Sequence, residues 1–424
     1  MVINGSAMEP AQLDRAIGAV LASAVGDALG SAYEFGQGLP DHQVPEFGVG
    51  HFGHAVGEWT DDTAMVVAIL EAAARRESLC DPITLGGVVD RWLGWAATAK
   101  DVGIQTRRVF HQISPPATEA AARQAAQLVH DQTGRSGGNG SLMRTGPVAL
   151  AYLADGQEAQ LAEAAGRIAQ LTHVEPDNVH AVTLWCLAIR QAIRTGQFDP
   201  RAGLWWLPAQ VRPRWSDLID EAIAPGRHPR DFAAQNGWVV KAFQAALAAI
   251  AGASDLPEAL YRAVRGGNDT DTVAAIAGSL AGAVWGASRL PSDWVRLVHG
   301  WPGYTADDLK RLVEEAVKGE RPPIVPRKLE LRAADLGGLR SHLTAELDAE
   351  GRLRLAGQDL GGQRGEYEYF RTIQAEDVPA LIELLGGQPD DDLQQLLRQW
   401  TGDRSFELEK LLREAPFKVS LYVV

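Results

Sequence analysis

The stretch Gly266-Gly267-Asn268-Asp269-Thr270-Asp271-Thr272 runs straight into Val273-Ala274-Ala275-Ile276-Ala277-Gly278. Two carboxylates and two threonine hydroxyls fall within four residues, behind glycines and ahead of a helix of small residues. Pairs on one helix face stand three or four residues apart. Asp269 and Asp271 therefore belong to a turn that enters a helix, with Thr270 or Asp271 near the N-cap. A helix start offers free N–H groups and partial positive charge, which steady carboxylates. The same oxygens suit a hard divalent cation such as Mg2+ or Mn2+. Alone, the stretch reads equally well as a helix cap with spare acids. A second cluster, Trp59-Thr60-Asp61-Asp62-Thr63-Ala64-Met65-Val66, opens another apolar helix. Together the two supply enough oxygen ligands for a two-metal site.

Outward from these clusters the chain is helical. Residues 12–33 read as a helix with Gly18, Ala22, Gly26 and Gly30 on one ridge, four apart. The helix after Thr272 repeats the device with Ala274, Gly278, Gly282 and Gly286. Glycines cost helix propensity, and close approach of a neighbouring helix is the return. Packing the two ridges together would bring Glu34 and Asp269 into one region. Residues 35–54 form a long loop with Pro40 and Pro45, read as a functional flap; His42, His51 and His54 read as ordinary loop histidines.

Helices are expected at 62–76, 82–99, 178–195, 236–251, 255–265, 294–299 and 305–318, with 196–236 irregular and no strand before about Pro323. Asp101 falls where a helix gives way to a glycine turn. Gly134-Arg135-Ser136-Gly137-Gly138-Asn139-Gly140-Ser141-Leu142-Met143-Arg144-Thr145 is a glycine-rich loop opening a helix near Met143 or Pro147. Such loops present N–H groups to phosphate oxygens, though flexibility alone also explains one. His173, after a helix end, is either a satisfied helix-end histidine or a ligand contact. No fixed-length repeat is found, so one compact α domain is expected.

At 424 residues there is room for two domains. Apolar residues make up 46% and charged residues 22%, an ordinary globular balance. A net charge of −14 argues against a broad nucleic-acid-binding surface. No apolar run is long enough to span a bilayer, and the first residues do not read as a signal peptide. Cys80 and Cys186 sit in apolar surroundings and read as buried thiols, as in a reducing cytoplasm.

Residues 320–326 read as a linker between a domain at 1–320 and a small α+β domain at 327–424. In the latter a hairpin is expected from 339–347 and 351–356, across Asp348-Ala349-Glu350-Gly351. A strand is expected at 366–373. Ala375-Glu376-Asp377 should cap a helix to Leu385, with helices at 390–400 and 405–413 and a last strand at 418–424.

Through residue 320 the chain resembles the ADP-ribosylglycohydrolase family. The motifs come in family order: Gly26-Asp27-Ala28-Leu29-Gly30 with Tyr33-Glu34, Trp59-Thr60-Asp61-Asp62-Thr63, Lys100-Asp101-Val102-Gly103, Gly138 to Arg144, Thr172-His173 and Gly267 to Thr272. The resemblance implies an orthogonal all-α helical bundle with a dimetal cleft holding two Mg2+ or Mn2+. It implies Thr60, Asp61, Asp62, Asp269, Asp271 and Thr272 as the metal shell, and Asp101, Glu34 and Asp269 as the catalytic acids. Gly138, Asn139, Gly140, Ser141, Met143, Arg144 and His173 would hold the diphosphate and distal ribose. The implied reaction removes ADP-ribose from a protein side chain. Asp101 favours an arginine linkage, because it matches the aspartate of the arginine-specific members. Serine-specific members rely on the position of Glu34 and a movable flap. The competing readings are hydrolysis of free ADP-ribosyl small molecules or of a modified nucleobase, a non-catalytic ADP-ribose binder, and a metal-dependent phosphohydrolase. The second domain lies outside the resemblance and is expected to bind a partner, shape the substrate entrance or hold an oligomer.

Overall fold

The computed structural model describes residues 8–318, 329–335, 340–347, 352–362, 365–374, 377–387 and 393–423. The expected linker, the turn at 348–351 and the capping residues Ala375 and Glu376 lie outside them. The chain divides into two compact units, Met1–Glu320 and Arg321–Val424.

The first unit is helical. In order it contains α1 (Pro10–Gly30), α2 (Asp61–Ala74), α3 (Pro82–Ala96), α4 (Ile104–Phe110), α5 (Glu119–Thr133), α6 (Gly140–Thr145), α7 (Glu158–Gln170) and α8 (Pro176–Thr195). After these come α9 (Arg212–Ile223), α10 (Val239–Ala251), α11 (Leu256–Arg265), α12 (Thr270–Trp285), α13 (Ser292–Leu297) and α14 (Ala306–Val317). A 3-10 turn at Gly146–Tyr152 extends α6. Among the described residues no helix is long and apolar enough to cross a membrane.

Helices α1 and α12 form the centre and run antiparallel, ridge against ridge. A side-chain carbon at Gly18 would collide with Gly282 O, one at Gly26 with Ala274 O, and one at Gly278 with Ala22 O. Backbone therefore touches backbone along the pair, an approach that only glycine permits. The register ends with Gly30 against Asp271, where an added carbon would lie 2.5 Å from Asp271 Cα. Thr270 Oγ1 donates to Gly30 O at 2.8 Å. The end of α1 is thus fixed to the start of α12, and Glu34 follows four residues later.

Helices α4 and α5 were not foreseen, and three further elements of this unit differ from expectation. Residues 212–223 are helical (α9), with Trp215, Ile219 and Ala222 buried along one side. A two-stranded ribbon precedes residue 323: β1 (His299–Gly300) pairs with β2 (Tyr304–Thr305). Helix α6 starts at Gly140, earlier than Met143.

The second unit is a five-stranded antiparallel sheet with its own apolar core. Its strands are β3 (Leu329–Asp335), β4 (Arg340–Leu347), β5 (Leu353–Gly362), β6 (Gly365–Ile373) and β7 (Val419–Val423), paired in chain order. Strand β3 was not foreseen, and β5 runs past residue 356. Helices α15 (Val378–Leu384), α16 (Leu393–Leu397) and α17 (Arg404–Arg413) contribute Leu381, Leu397, Leu408 and Leu412 to a core shared with Leu331, Leu343 and Leu355 of the sheet.

Candidate active site

The two acid clusters open two helices that start side by side. Thr60 stands at the N-cap position of α2 without a side-chain capping bond, and Asp61 and Asp62 lie in the first turn. Asp269, one residue before the expected position, stands in the same way at the start of α12, with Asp271 in the first turn. Thr272 Oγ1 lies 3.4 Å from Asp62 Oδ2, and Thr60 Oγ1 lies 3.2 Å from the same oxygen. Residues 210 positions apart are thereby brought within one hydrogen bond.

Asp27 was quoted in a motif but given no role, and it proves to be the keystone of this arrangement. It is fully buried in α1. Its Oδ1 accepts from Thr60 N at 2.9 Å and Thr60 Oγ1 at 2.8 Å; its Oδ2 accepts from Thr63 N at 2.9 Å and Thr63 Oγ1 at 2.6 Å. It satisfies the free N–H groups at the start of α2 from another helix, which sets where Thr60, Asp61 and Asp62 stand.

Depth sorts the acids. Asp62, Asp271, Thr60 and Thr272 are buried, whereas Asp61, Asp269, Glu34 and Asp101 are part exposed. Asp61 Oδ2 accepts from Gly103 N at 3.3 Å, which ties it to the turn that carries Asp101. Asn139 Nδ2 donates to Asp269 Oδ2 at 2.8 Å, which ties the glycine-rich loop to α12. Burial pushes the Asp61 carboxyl up to about 8, helped by Asp101 and Asp27. Glu34 also rises to about 8, through burial and then Asp269, Asp101 and Asp61. Burial lifts Asp62 and Asp271 well above the carboxylate range, reinforced by the neighbouring acids. Asp101 is raised by burial.

These residues fit a divalent cation. Asp62 Oδ1 is buried without a hydrogen-bond partner, in the midst of like charges. Such an oxygen is costly to bury as a charge, and a proton or a cation must neutralise it. Among the described residues no three acid, histidine or cysteine side chains already close into a ligand set. Cation binding there would draw on the threonine hydroxyls and water as well as the carboxylates.

The glycine-rich loop lies over His173. Side-chain carbons at Gly138 and Gly140 would each sit 3.2 Å from its ring, at Nε2 and Cε1. Gln105 Nε2 holds Ser136 O and Thr172 O, and Asn178 Nδ2 holds Gly138 O and Ser141 Oγ at 2.7 Å. Residues 237–239 pair with the loop from the other side, through Asn139 N to Gly237 O and Val239 N to Gly137 O. Neither Gln105 nor Asn178 was singled out in the sequence, since amides far apart in the chain give no local signal.

Met143 and Arg144 depart from the expectation of substrate contact, because α6 begins early enough to turn both inward. Met143 is 5% exposed and Arg144 not at all. The Arg144 guanidinium lies 4.3 Å above the Trp92 ring and donates to Ile168 O and to Thr172 Oγ1, the latter at 2.7 Å. Thr172 Oγ1 in turn meets His173 Nδ1 at 2.7 Å. Burial, and then the nearby Arg144, hold the His173 ring neutral, and its Nε2 edge faces the loop. Arg144 reaches the loop only through Thr172 and His173.

A helical unit with these gathered acids agrees with the family comparison. The model of the ADP-ribosylglycohydrolase family matches residues 8–323, and the chain belongs to that family. It is an enzyme, an ADP-ribosylglycohydrolase. The chain is 30% identical over 291 residues to an ADP-ribosylarginine hydrolase, Tri1, of Pseudomonas putida, covering 68% of this chain and 74% of that protein. It is 28% identical over 300 residues to the ADP-ribosyl-[dinitrogen reductase] glycohydrolase of Rhodospirillum rubrum, covering 68% and 90%. A solved ADP-ribosylglycohydrolase-related protein complex superposes with a TM-score of 0.54 at 28% identity, over 72% of this chain and 98% of that one.

Proposed function

We propose that this enzyme hydrolyses the N-glycosidic bond between ADP-ribose and an arginine side chain of a protein, using a dinuclear Mg2+ or Mn2+ site. The meeting of the two acid clusters around the unpartnered Asp62 Oδ1 is the principal support. The relatives named for ADP-ribosylarginine and for ADP-ribosylated dinitrogen reductase lend the substrate class. Thr60, Asp61, Asp62, Asp269, Asp271 and Thr272 would hold the metals. Bound divalent cations supply Lewis acidity toward ribose hydroxyls and lower the pKa of water.

The chain's own residues do the rest. Gly138, Asn139 and Gly140, with His173 beneath, hold and orient the diphosphate and distal ribose; Ser141 would add only its backbone, because its side chain is buried against Asn178. In the reaction a water oxygen bonds to the anomeric carbon while the bond from that carbon to the guanidine nitrogen breaks. The water gives up a proton, and the departing nitrogen takes one. Glu34 and Asp101 are the acids we assign to carry these protons. Glu34 is assigned to the transfer by its place, a carboxyl close enough to feel Asp269, Asp101 and Asp61. The same carboxyl could pass a proton to a departing alkoxide, so a serine O-linkage is the second reading.

The experiment is release of ADP-ribose from arginine- and serine-linked conjugates by Mg2+- or Mn2+-loaded enzyme. Turnover of the arginine conjugate is expected, and its loss in Asp269→Ala. No release from either conjugate, with metal bound, would remove the proposal. Turnover of the serine conjugate alone would exchange the first reading for the second.

A further inference from the structure

Three rings at the rim of this site have no part in the chemistry so far described. Phe35, next to Glu34, has a left-handed backbone with φ 61°. Bulky residues are rare there, and glycine or asparagine is the ordinary occupant. The turn itself needs only the backbone shape: Phe35 N donates to Asn268 O at 2.7 Å, and Asn268 N donates to Gly36 O at 2.8 Å. Nothing in that pairing calls for a phenyl ring, yet the residue is 61% exposed. The ring packs edge-on against His51 at 5.1 Å and Phe52 at 6.1 Å, and those two meet at 5.1 Å. Phe52 is itself 40% exposed.

The cluster is anchored beside both proton-moving acids. One end is the Glu34 turn. At the other, Lys100 Nζ donates to Gly53 O at 3.2 Å, and Lys100 precedes Asp101. His51 N is fixed to Ser31 O at 3.1 Å. His51 and His54 lie near the Asp101 carboxyl. Exposed aromatic rings beside carboxylates make a seat for a planar cation, which stacks on the ring while the acids accept its N–H groups. The same acids repel a diphosphate.

We propose that Phe35, His51 and Phe52 form the subsite for the departing side of the substrate, the modified arginine and the polypeptide next to it. The cluster is a specificity-determining surface that stacks on the guanidinium, and it rests on the arginine-linked reading above.

Phe35→Asn is the informative variant, because asparagine suits the left-handed turn and folding is preserved; Phe52→Ala is the second. The KM for an ADP-ribosylarginine peptide should rise about fivefold to tenfold in each, the size of one partly exposed cation–π contact. The kcat should hold, and calorimetric affinity for free ADP-ribose should stay as in the wild type. Phe35→Trp should recover the wild-type KM. An unchanged peptide KM in both variants overturns the proposal. Weakened ADP-ribose binding in parallel also overturns it, by moving the rings to the ADP-ribose side. A wild-type enzyme inactive on the arginine conjugate overturns the arginine reading itself, a result distinct from either of these.

Discussion

Asp27 decides more of this site than any of the acids it sets in place. Its four donors lie 33 and 36 residues further on, so no local spacing could reveal the pairing. Asp27→Asn keeps the volume but turns an NH2 group toward hydroxyl and N–H donors. A loss of about 1–3 kcal/mol in chemical denaturation is expected. With Thr60 displaced, kcat should fall on the order of a hundredfold, as for a small misplacement near reacting groups. Full activity in this variant would show that the cap does not set the acids. The acids themselves were legible, because each cluster is a short run with turn and cap chemistry written into it. The inward turn of Arg144 was not, because it depends on α6 starting at Gly140. The raised acids also set a pH dependence for the metal-free protein. Glu34 and Asp61 titrate near 8 in the folded chain and near 4 when unfolded. Between those values the folded state holds more protons, so stability falls as pH rises. The unfolding midpoint of chelator-treated enzyme should drop from about pH 5 to about pH 8, and Mg2+ or Mn2+ should raise it more at the upper end. A flat profile with no metal effect would contradict the cation assignment.

Helices α1 and α12 turn a sequence spacing into the position of the site. Small residues four apart on both helices were visible in the sequence, and their only geometric use is close approach. Gly278→Ala should improve helix propensity by about 1 kcal/mol and yet destabilise, because the new methyl meets Ala22 O with no flexible atom to yield. Overpacking of this kind costs about 1–3 kcal/mol or more. Gly94→Ala in α3 is the control: it is exposed, nothing lies within 4 Å of the new carbon, and a gain of about 0.5–1 kcal/mol is expected. Denaturant midpoints moving in opposite directions would bear out the ridge packing; equal shifts would not. Elements that escaped the sequence did so for local reasons. Strands β1 and β2 have two residues each, too few to show a period. In α9 the prolines and tryptophans masked the spacing of Trp215, Ile219 and Ala222, although Pro is at home in a first helical turn. In β3 a bulge lies between Glu330 and Arg332, and the latter is a buried charge where an apolar residue is usual.

Over the whole molecule, each unit has the core that a domain needs, and this separates the roles that can be tested. In the second unit Arg332 is 3% exposed and its guanidinium donates twice to Glu409 Oε2 at 2.9 Å. Tyr369 OH donates to Glu409 Oε1 at 2.6 Å. Glu409→Ala leaves Arg332 buried without its counter-charge, a change that costs about 3–5 kcal/mol. That is a large share of the roughly 5–15 kcal/mol by which a domain is stable. Heating should therefore resolve two transitions, with the one for the second unit lowered and the other unmoved. Hydrolysis of a small arginine conjugate should persist, because every candidate catalytic acid belongs to Met1–Glu320. If the second unit selects the partner, activity on a folded protein ADP-ribosylated on arginine should fall at temperatures where only that unit has melted. A chain ending at residue 320 should behave in the same way. Equal loss on both substrates would instead make the second unit a support for the first, and unchanged rates on both would free it from substrate choice altogether.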